Sequence, residues 1–164
     1  MRSLVVLLFA VLVGRPAWAW REPTGWVINW GESEQILMKG LRARCFDVDD
    51  VGLPSRACSF DFTRLGFPIK TVWRFRAGGL VAVHMRLSSF RFGEMKDVLL
   101  QDYGGPTQEV VELGTTPAGL PYQNTVVRWH GDRVQMNLQE HPRGWLSDAE
   151  VLIILTDEME RQYR

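Results

Sequence analysis

The segment at residues 90–106, FRFGEMKDVLLQDYGGP, constrains the fold most, because it combines a helix start signal, an apolar stripe and a stop signal. Four large side chains recur in it at spacings of three and four residues: Phe92, Met95, Leu99 and Tyr103. This spacing lines them up along one side of an α-helix. Ser88 or Ser89 is suited to cap the start, and Gly104-Gly105-Pro106 ends the pattern. The sequence therefore predicts a firm amphipathic helix that packs one side against a core.

A weaker copy of this helix signal lies upstream, at residues 34–44. Ser33 is suited to be its N-cap. Its buried stripe is formed by three residues: Ile36, Leu37 and Leu41. Alternating apolar and polar residues then predict strand hairpins within 69–87 and 125–138, and Ala77-Gly78-Gly79 is the predicted turn of the first. Shorter strand signals stand at 59–62, 108–113 and 150–155.

The two halves of the chain can be aligned, which predicts an internal repeat. Gly31 aligns with Gly93 at an offset of 62 residues, and Phe75 aligns with Trp129 at an offset of 54. We therefore predict an α+β fold of two helix-plus-three-strand units, with an antiparallel sheet and the helices packed on one face. Residues 20–164 form a single domain in this interpretation, and two repeats at about 26–87 and 88–156 are its finer version.

The first 19 residues match the pattern of a secretory signal peptide. Arg2 precedes an apolar run at 4–13, and the small-residue triplet Ala17-Trp18-Ala19 follows Arg15 and Pro16. Ten apolar residues are too few for a membrane anchor, which needs roughly 20. We expect cleavage after Ala19, no transmembrane segment in the mature chain, and a periplasmic or secreted location.

The charge balance excludes a strongly basic protein. Loss of residues 1–19 removes Arg2 and Arg15 and leaves 17 basic against 19 acidic residues, a net charge of −2. Such a balance carries no electrostatic footprint for nucleic acid or anionic lipid. We therefore expect no nucleic acid among the partners.

Cys45 and Cys58 are the two cysteines of the chain, and we predict that they form a disulfide. Residues 45–58 between them are interpreted as an irregular acidic loop. The loop does not match an EF-hand calcium site. With Asp47 at position one, position five is Val51, which has no side-chain oxygen ligand, and position twelve is Cys58, where a glutamate is needed. No metal site is predicted there.

No catalytic motif is recognised, so no catalytic residue, metal or cofactor is predicted. The three histidines, His84, His130 and His141, have no metal-ligand spacing. We expect a non-catalytic protein that binds another macromolecule, with an envelope protein as one possibility. Its candidate surfaces are the sheet face and the loops at 114–121 and 141–148, together with four tryptophans: Trp20, Trp26, Trp30 and Trp145.

Two other functions stay open. The first is a small-ligand carrier, whose apolar cavity would be lined by four residues: Trp73, Phe75, Trp129 and Met136. The second is an enzyme with an unrecognised site, which would need an acidic partner for His84 or His141.

Several structural motifs resemble those of small exported proteobacterial proteins of unknown function. They are the run Asn29-Trp30-Gly31-Glu32-Ser33 before a helix, Phe75 and Gly79-Leu80 around a hairpin turn, Tyr103-Gly104-x-Pro106, and Trp129. The helix-plus-sheet repeat of that group is similar to the folds of the β-lactamase-inhibitor-protein type and of the BamE (SmpA) lipoproteins. The resemblance implies an exported α+β protein and carries over no functional residue. The lipid-attachment cysteine of the BamE group is missing from this sequence.

Overall fold

The computed structural model describes residues 30–39, 41–50, 53–64 and 66–157. Its eight strands are β1 (Arg44–Asp50), β2 (Leu53–Arg64), β3 (Phe67–Arg76), β4 (Gly79–Ser88), β5 (Gln108–Thr115), β6 (Pro121–His130), β7 (Val134–Gln139) and β8 (Asp148–Leu155). The helices are α1 (Glu34–Leu37) and α2 (Phe92–Tyr103). Two 3-10 turns stand at Ser89–Arg91, directly before α2, and at Pro142–Gly144. The predicted signal peptide and two of the candidate tryptophans, Trp20 and Trp26, lie outside the described residues.

All eight strands belong to one antiparallel sheet, in the order β1-β2-β3-β4-β8-β7-β6-β5. The strands β1 to β4 follow one another as neighbours, and so do β5 to β8. The chain passes from β4 at the centre through α2 to β5 at the far edge, and it returns strand by strand until β8 pairs with β4. The two ends of the sheet are therefore β1 and β5.

The prediction of two helix-plus-three-strand units is wrong. Each half contributes four strands to the one sheet, and α1 has only 4 residues, whereas the predicted helix covered 34–44. A short helix needs tertiary burial, but Ile36 and Leu41 of the predicted stripe are exposed. Residues 45–50 and 53–58, interpreted as parts of an irregular loop, instead belong to the paired strands β1 and β2. Whether the halves are true repeats stays a prediction.

The predicted central helix is confirmed. The four stripe residues of α2 are buried and belong to the same core cluster as alternate residues of the strands. We call the covered side of the sheet the helix face; its largest members are Trp73, Phe75, Met85, Trp129 and Met136. Trp129 also donates a hydrogen bond from Nε1 to the carbonyl oxygen of Gly104, 3.0 Å away, at the end of α2. The core therefore lies between α2 and one face of the sheet.

The turn of the β3–β4 hairpin was predicted from the sequence. Ala77 and Gly78 both have positive φ, 49° and 81°. Two such residues form the type I′ turn, whose twist matches that of the paired strands. The pairing register then shifts between Arg74 and Phe75, and the turn together with this irregularity determines which residues of β3 and β4 point away from the helix face.

Candidate binding face

The side of the sheet opposite α2 is the candidate site, and we call it the open face. Because side chains alternate along a strand, its members are the neighbours of the core residues. Those at its centre are Val72 and Arg74 of β3, Ala82, His84 and Arg86 of β4, and Asp148, Glu150, Leu152 and Ile154 of β8. Neither α1 nor α2 packs on the open face, whereas α2 packs on the helix face.

Three adjoining cavities run along the centre of the open face, and we call them together the central groove. They share residues: Val72 and His84 join two of them, Arg143 and Glu150 join two, and Arg86 joins two. The groove crosses β3, β4 and β8 and continues to the turn at Pro142–Gly144. It is an open channel and not an enclosed cavity.

The floor of the central groove is apolar. Ala82 pairs directly with Ile154, and His84 pairs with Leu152 on one side and Val72 on the other. Ala82 and Ile154 are almost fully buried, at 3% and 1% exposure, so the partly exposed apolar side chains of the floor are those of Val72 and Leu152. Adjoining apolar side chains that stay partly exposed indicate contact with another molecule more often than an isolated apolar residue does.

An ion pair stands beside this apolar floor. Nε2 of His84 lies 2.9 Å from Oε2 of Glu150, and the Glu150 side chain is only 16% exposed. Burial alone would raise the pKa of Glu150, but His84, Arg143 and Arg86 outweigh it and hold that pKa below its usual value. The carboxylate is thus kept ionised by three basic side chains around it.

Arg143 reaches this cluster from a strained backbone. Its φ of 55° and ψ of 25° are left-handed, a conformation that costs a residue with a side chain roughly 1–2 kcal/mol. The turn that carries it is fixed at both ends. The His141 amide donates to Oδ1 of Asn124 at 2.8 Å, and the Ser89 hydroxyl donates to the Leu146 carbonyl at 2.7 Å. Strain of this kind is typical of functional sites.

Trp145, a predicted surface residue, lies at the rim of the central groove. Its side chain is exposed, and it lines the same cavity as Arg86 and Arg143. Trp30 is half-buried and packs against the core, so the structure does not bring it to the groove. The loop at 114–121 is shorter than expected, since β5 ends at Thr115 and β6 begins at Pro121.

The other candidate sites have different surroundings. The four residues assigned to a carrier cavity, Trp73, Phe75, Trp129 and Met136, are buried in the core under α2.

The three histidines lie apart from one another. His84 has an acidic neighbour in Glu150, and His130 is exposed at a hairpin end. Nε2 of His141 lies 4.0 Å from Oε1 of Glu140. Within the described residues, one group offers three donor atoms for a metal, Glu34 with Cys45 and Cys58. Its sulfurs are bonded to each other, since the predicted disulfide is confirmed.

Sequence reasoning named Trp145 and His84 but missed Glu150 and the arginines that line the groove. Glu150 stands at the start of the apolar run Val151-Leu152-Ile153-Ile154-Leu155, which was interpreted only as a strand. Strict alternation in that run would have separated Leu152 and Ile154 from the core residues Val151 and Ile153. The groove also depends on the pairing of β4 with β8, which no local pattern encodes.

Comparison of the chain with known protein families, with curated proteins and with solved structures finds no match. The resemblance to the β-lactamase-inhibitor-protein and BamE folds therefore stays a prediction. Within the described residues, no helix is long and apolar enough to cross a membrane.

Proposed function

We propose that this chain is a non-catalytic, exported protein that binds an extended, acidic segment of another protein along the central groove. The observation that carries the proposal is the groove itself, with the partly exposed Val72 and Leu152 on its floor and basic side chains at its border. An extended segment matches the groove because its side chains alternate, so that every second one points down to the floor. The downward side chains would contact Val72 and Leu152.

The rim favours a partner with carboxylates. Three arginines and one lysine line the groove, Arg74, Arg86, Arg143 and Lys70, together with the acids Asp61, Asp148 and Glu150. Glu150 is already paired with His84, and its charge is further compensated by Arg143 and Arg86. The guanidinium group has a planar set of donors that fits a carboxylate in a bidentate manner. Arg86 also lies 3.9 Å from Asp148, so the four cations outnumber the three acids by one, and this small net positive charge favours an incoming carboxylate.

Export is the second part of the proposal. The disulfide supports it, because such bonds persist in oxidising compartments such as the periplasm or the extracellular space. The signal-like segment at residues 1–19 supports it from the sequence. Sequencing the N-terminus of the protein recovered from its native source would test this part: we expect Trp20 as the first residue.

Peptide binding tests the main part. The probes are two synthetic extended peptides of equal length, one alternating Glu with Leu and one alternating Lys with Leu. We expect the acidic peptide to bind the full chain in a fluorescence anisotropy assay. Its affinity should fall as the salt concentration rises. The basic peptide should not bind. Equal binding of both peptides, or of neither, would overturn the proposal.

Variants localise the binding. Leu152→Asp places a carboxylate on the floor of the groove, and Arg74→Gln removes one rim cation while leaving the Glu150 cluster intact. Each substitution should lower the affinity for the acidic peptide by about tenfold or more, which is the loss expected for one charged or anchoring contact. The matched control is Ile36→Asp, at an exposed position of α1 away from the open face. Unchanged affinity in both groove variants would place the peptide elsewhere.

A further inference from the structure

The strand β5 is one of the two edge strands of the sheet, with β1 at the opposite edge, so one of its sides has no partner strand among the described residues. Its eight residues pair with β6 in an unbroken register from Gln108–Arg128 to Thr115–Pro121, without a bulge. In the part of the chain that the structure describes, no strand pairs with its outer side. An exposed strand edge of this kind is a template for another strand, and proteins usually block it with charge, proline or a bulge.

The strand β5 has no bulge within its register, no proline and no lysine. Its two acidic residues are compensated within the chain: Glu109 pairs with Lys96 at 2.6 Å, and Glu112 pairs with Arg128 at 2.7 Å. Two apolar side chains of β5 are exposed to solvent: Val111, between the two glutamates, is 59% exposed, and Leu113, after Glu112, is 82% exposed.

The backbone of these two residues faces outward. The Thr116 amide donates to the Leu120 carbonyl at 2.8 Å, which continues the β5–β6 register. In an antiparallel ladder, residues alternate between those bonded to the partner strand and those whose N–H and C=O point away. The even-numbered residues therefore bond to β6, and Val111 and Leu113 direct their N–H and C=O groups to the open side.

We infer that β5 pairs with the β5 strand of a second copy of this chain, in antiparallel orientation about a two-fold axis. An isologous contact requires a self-complementary surface. Registers centred on Val111 or on Leu113 meet this requirement. In each of these registers, the outward-facing residues of the two copies form hydrogen bonds with each other. Apolar side chains of both copies meet, and Glu112 does not stand opposite Glu112 of the second copy. The two sheets then continue as one antiparallel sheet.

A second copy fits this edge better than an acidic or basic partner strand. The charges next to β5 are already paired with Lys96 and Arg128, so they give no selection for a charged partner. The central groove crosses β3, β4 and β8, and this contact leaves it free. The inference therefore does not depend on the proposed peptide binding.

Sedimentation of the full chain over a wide concentration range tests the inference, and we expect a reversible dimer. Val111→Pro removes one outward N–H without breaking a bond to β6, as edge strands tolerate. Its matched control is Val111→Thr, which keeps that N–H. We expect loss of the dimer in Val111→Pro and in Leu113→Lys, and retention in Val111→Thr. Leu113→Lys guards against a folding defect of the proline variant.

Cross-linking identifies the contact. Val111→Cys or Leu113→Cys should form a covalent dimer under mild oxidation, because directly paired residues of neighbouring strands lie about 5.5 Å apart at Cα. Which variant reacts identifies the register. A wild-type chain that stays monomeric at every concentration would overturn the inference. A dimer that Leu113→Lys leaves intact and that neither cysteine traps would overturn it as well.

Discussion

The helix face and the open face are built from alternate residues of the same strands, yet they differ in composition and in order. Along β8, Val151 and Ile153 are fully buried under α2, while Glu150 and Leu152 stand on the other side. The helix face is packed with large apolar side chains. The open face combines partly exposed apolar side chains with a partly buried ion pair and a strained arginine.

The difference separates stability from recognition. Burial of a large apolar side chain contributes roughly 1.5–3 kcal/mol, so the helix face supplies most of the favourable free energy of folding. The open face keeps a feature that costs stability, the left-handed backbone at Arg143. Features that cost stability and persist on one face only are expected where a ligand binds.

Matched truncations on the two faces give the largest expected contrast. Trp129→Ala should lower the free energy of unfolding by about 3–5 kcal/mol, because it empties a fully buried site and removes the hydrogen bond to Gly104. Leu152→Ala, on the half-buried open face, should cost about 1 kcal/mol or less. Urea unfolding of both variants measures this. Similar losses in the two variants would contradict the division between the faces.

The disulfide on the helix face gives the next largest effect. Cys45 and Cys58 are directly opposite on β1 and β2, and Cys58 is fully buried in the core. Replacing both by alanine should cost on the order of 3 kcal/mol, since the bond closes a 14-residue loop in the unfolded chain. Phe46→Ala, at an exposed neighbour in the same strand, should change stability by about 0.5 kcal/mol or less. A disulfide variant as stable as Phe46→Ala would refute this.

The fold could be predicted where local signals were sufficient. Residues 92–103 carry a complete helix pattern, and Ala77-Gly78 carries a turn pattern, so both were found. Residues 45–50 were missed, because their aspartates resemble a solvated loop, and pairing with β2 overrides that composition. The length of α1 was overestimated because a stripe predicts a helix only if a core covers it.

The candidate site could be predicted only in outline. A sheet face and the loop carrying Trp145 were expected as binding surfaces. The pairing of His84 with Glu150 was beyond reach, since it follows from β4 and β8 meeting at the centre of the sheet. The left-handed backbone of Arg143 had no sequence signal, because glycine would be the usual residue at such a position.

The ion pair of the open face predicts a pH dependence. The pKa of Glu150 is lower in the folded than in the unfolded chain, so its contribution to stability is complete above the unfolded value of about 4.3. It is lost as the pH falls through the folded value. His84→Gln should raise the pKa of Glu150 and make the acid limb of the stability curve less steep. An NMR titration of the Glu150 carboxyl group measures the shift.

His130→Gln is the control for this experiment. His130 is exposed at the end of β6, so its loss should leave the pKa of Glu150 unchanged. If both histidine variants shift that pKa equally, the effect is one of general charge and not of the pair. If neither shifts it, the ion pair does not exist in solution.

The smallest expected effect concerns the backbone of Arg143. Arg143→Ala and Arg143→Gly both remove the side chain, but glycine alone relieves the left-handed conformation, so Arg143→Gly should be the more stable by about 1 kcal/mol. At Asn137, in the interior of β7, the order should reverse, because glycine weakens an extended strand. Urea unfolding of the four variants gives both differences. The same order at both positions would mean that Arg143 is not strained. If Arg143→Gly is the more stable yet loses the acidic peptide, the strained arginine is retained for binding, which is the division of roles that the two faces of the sheet suggest.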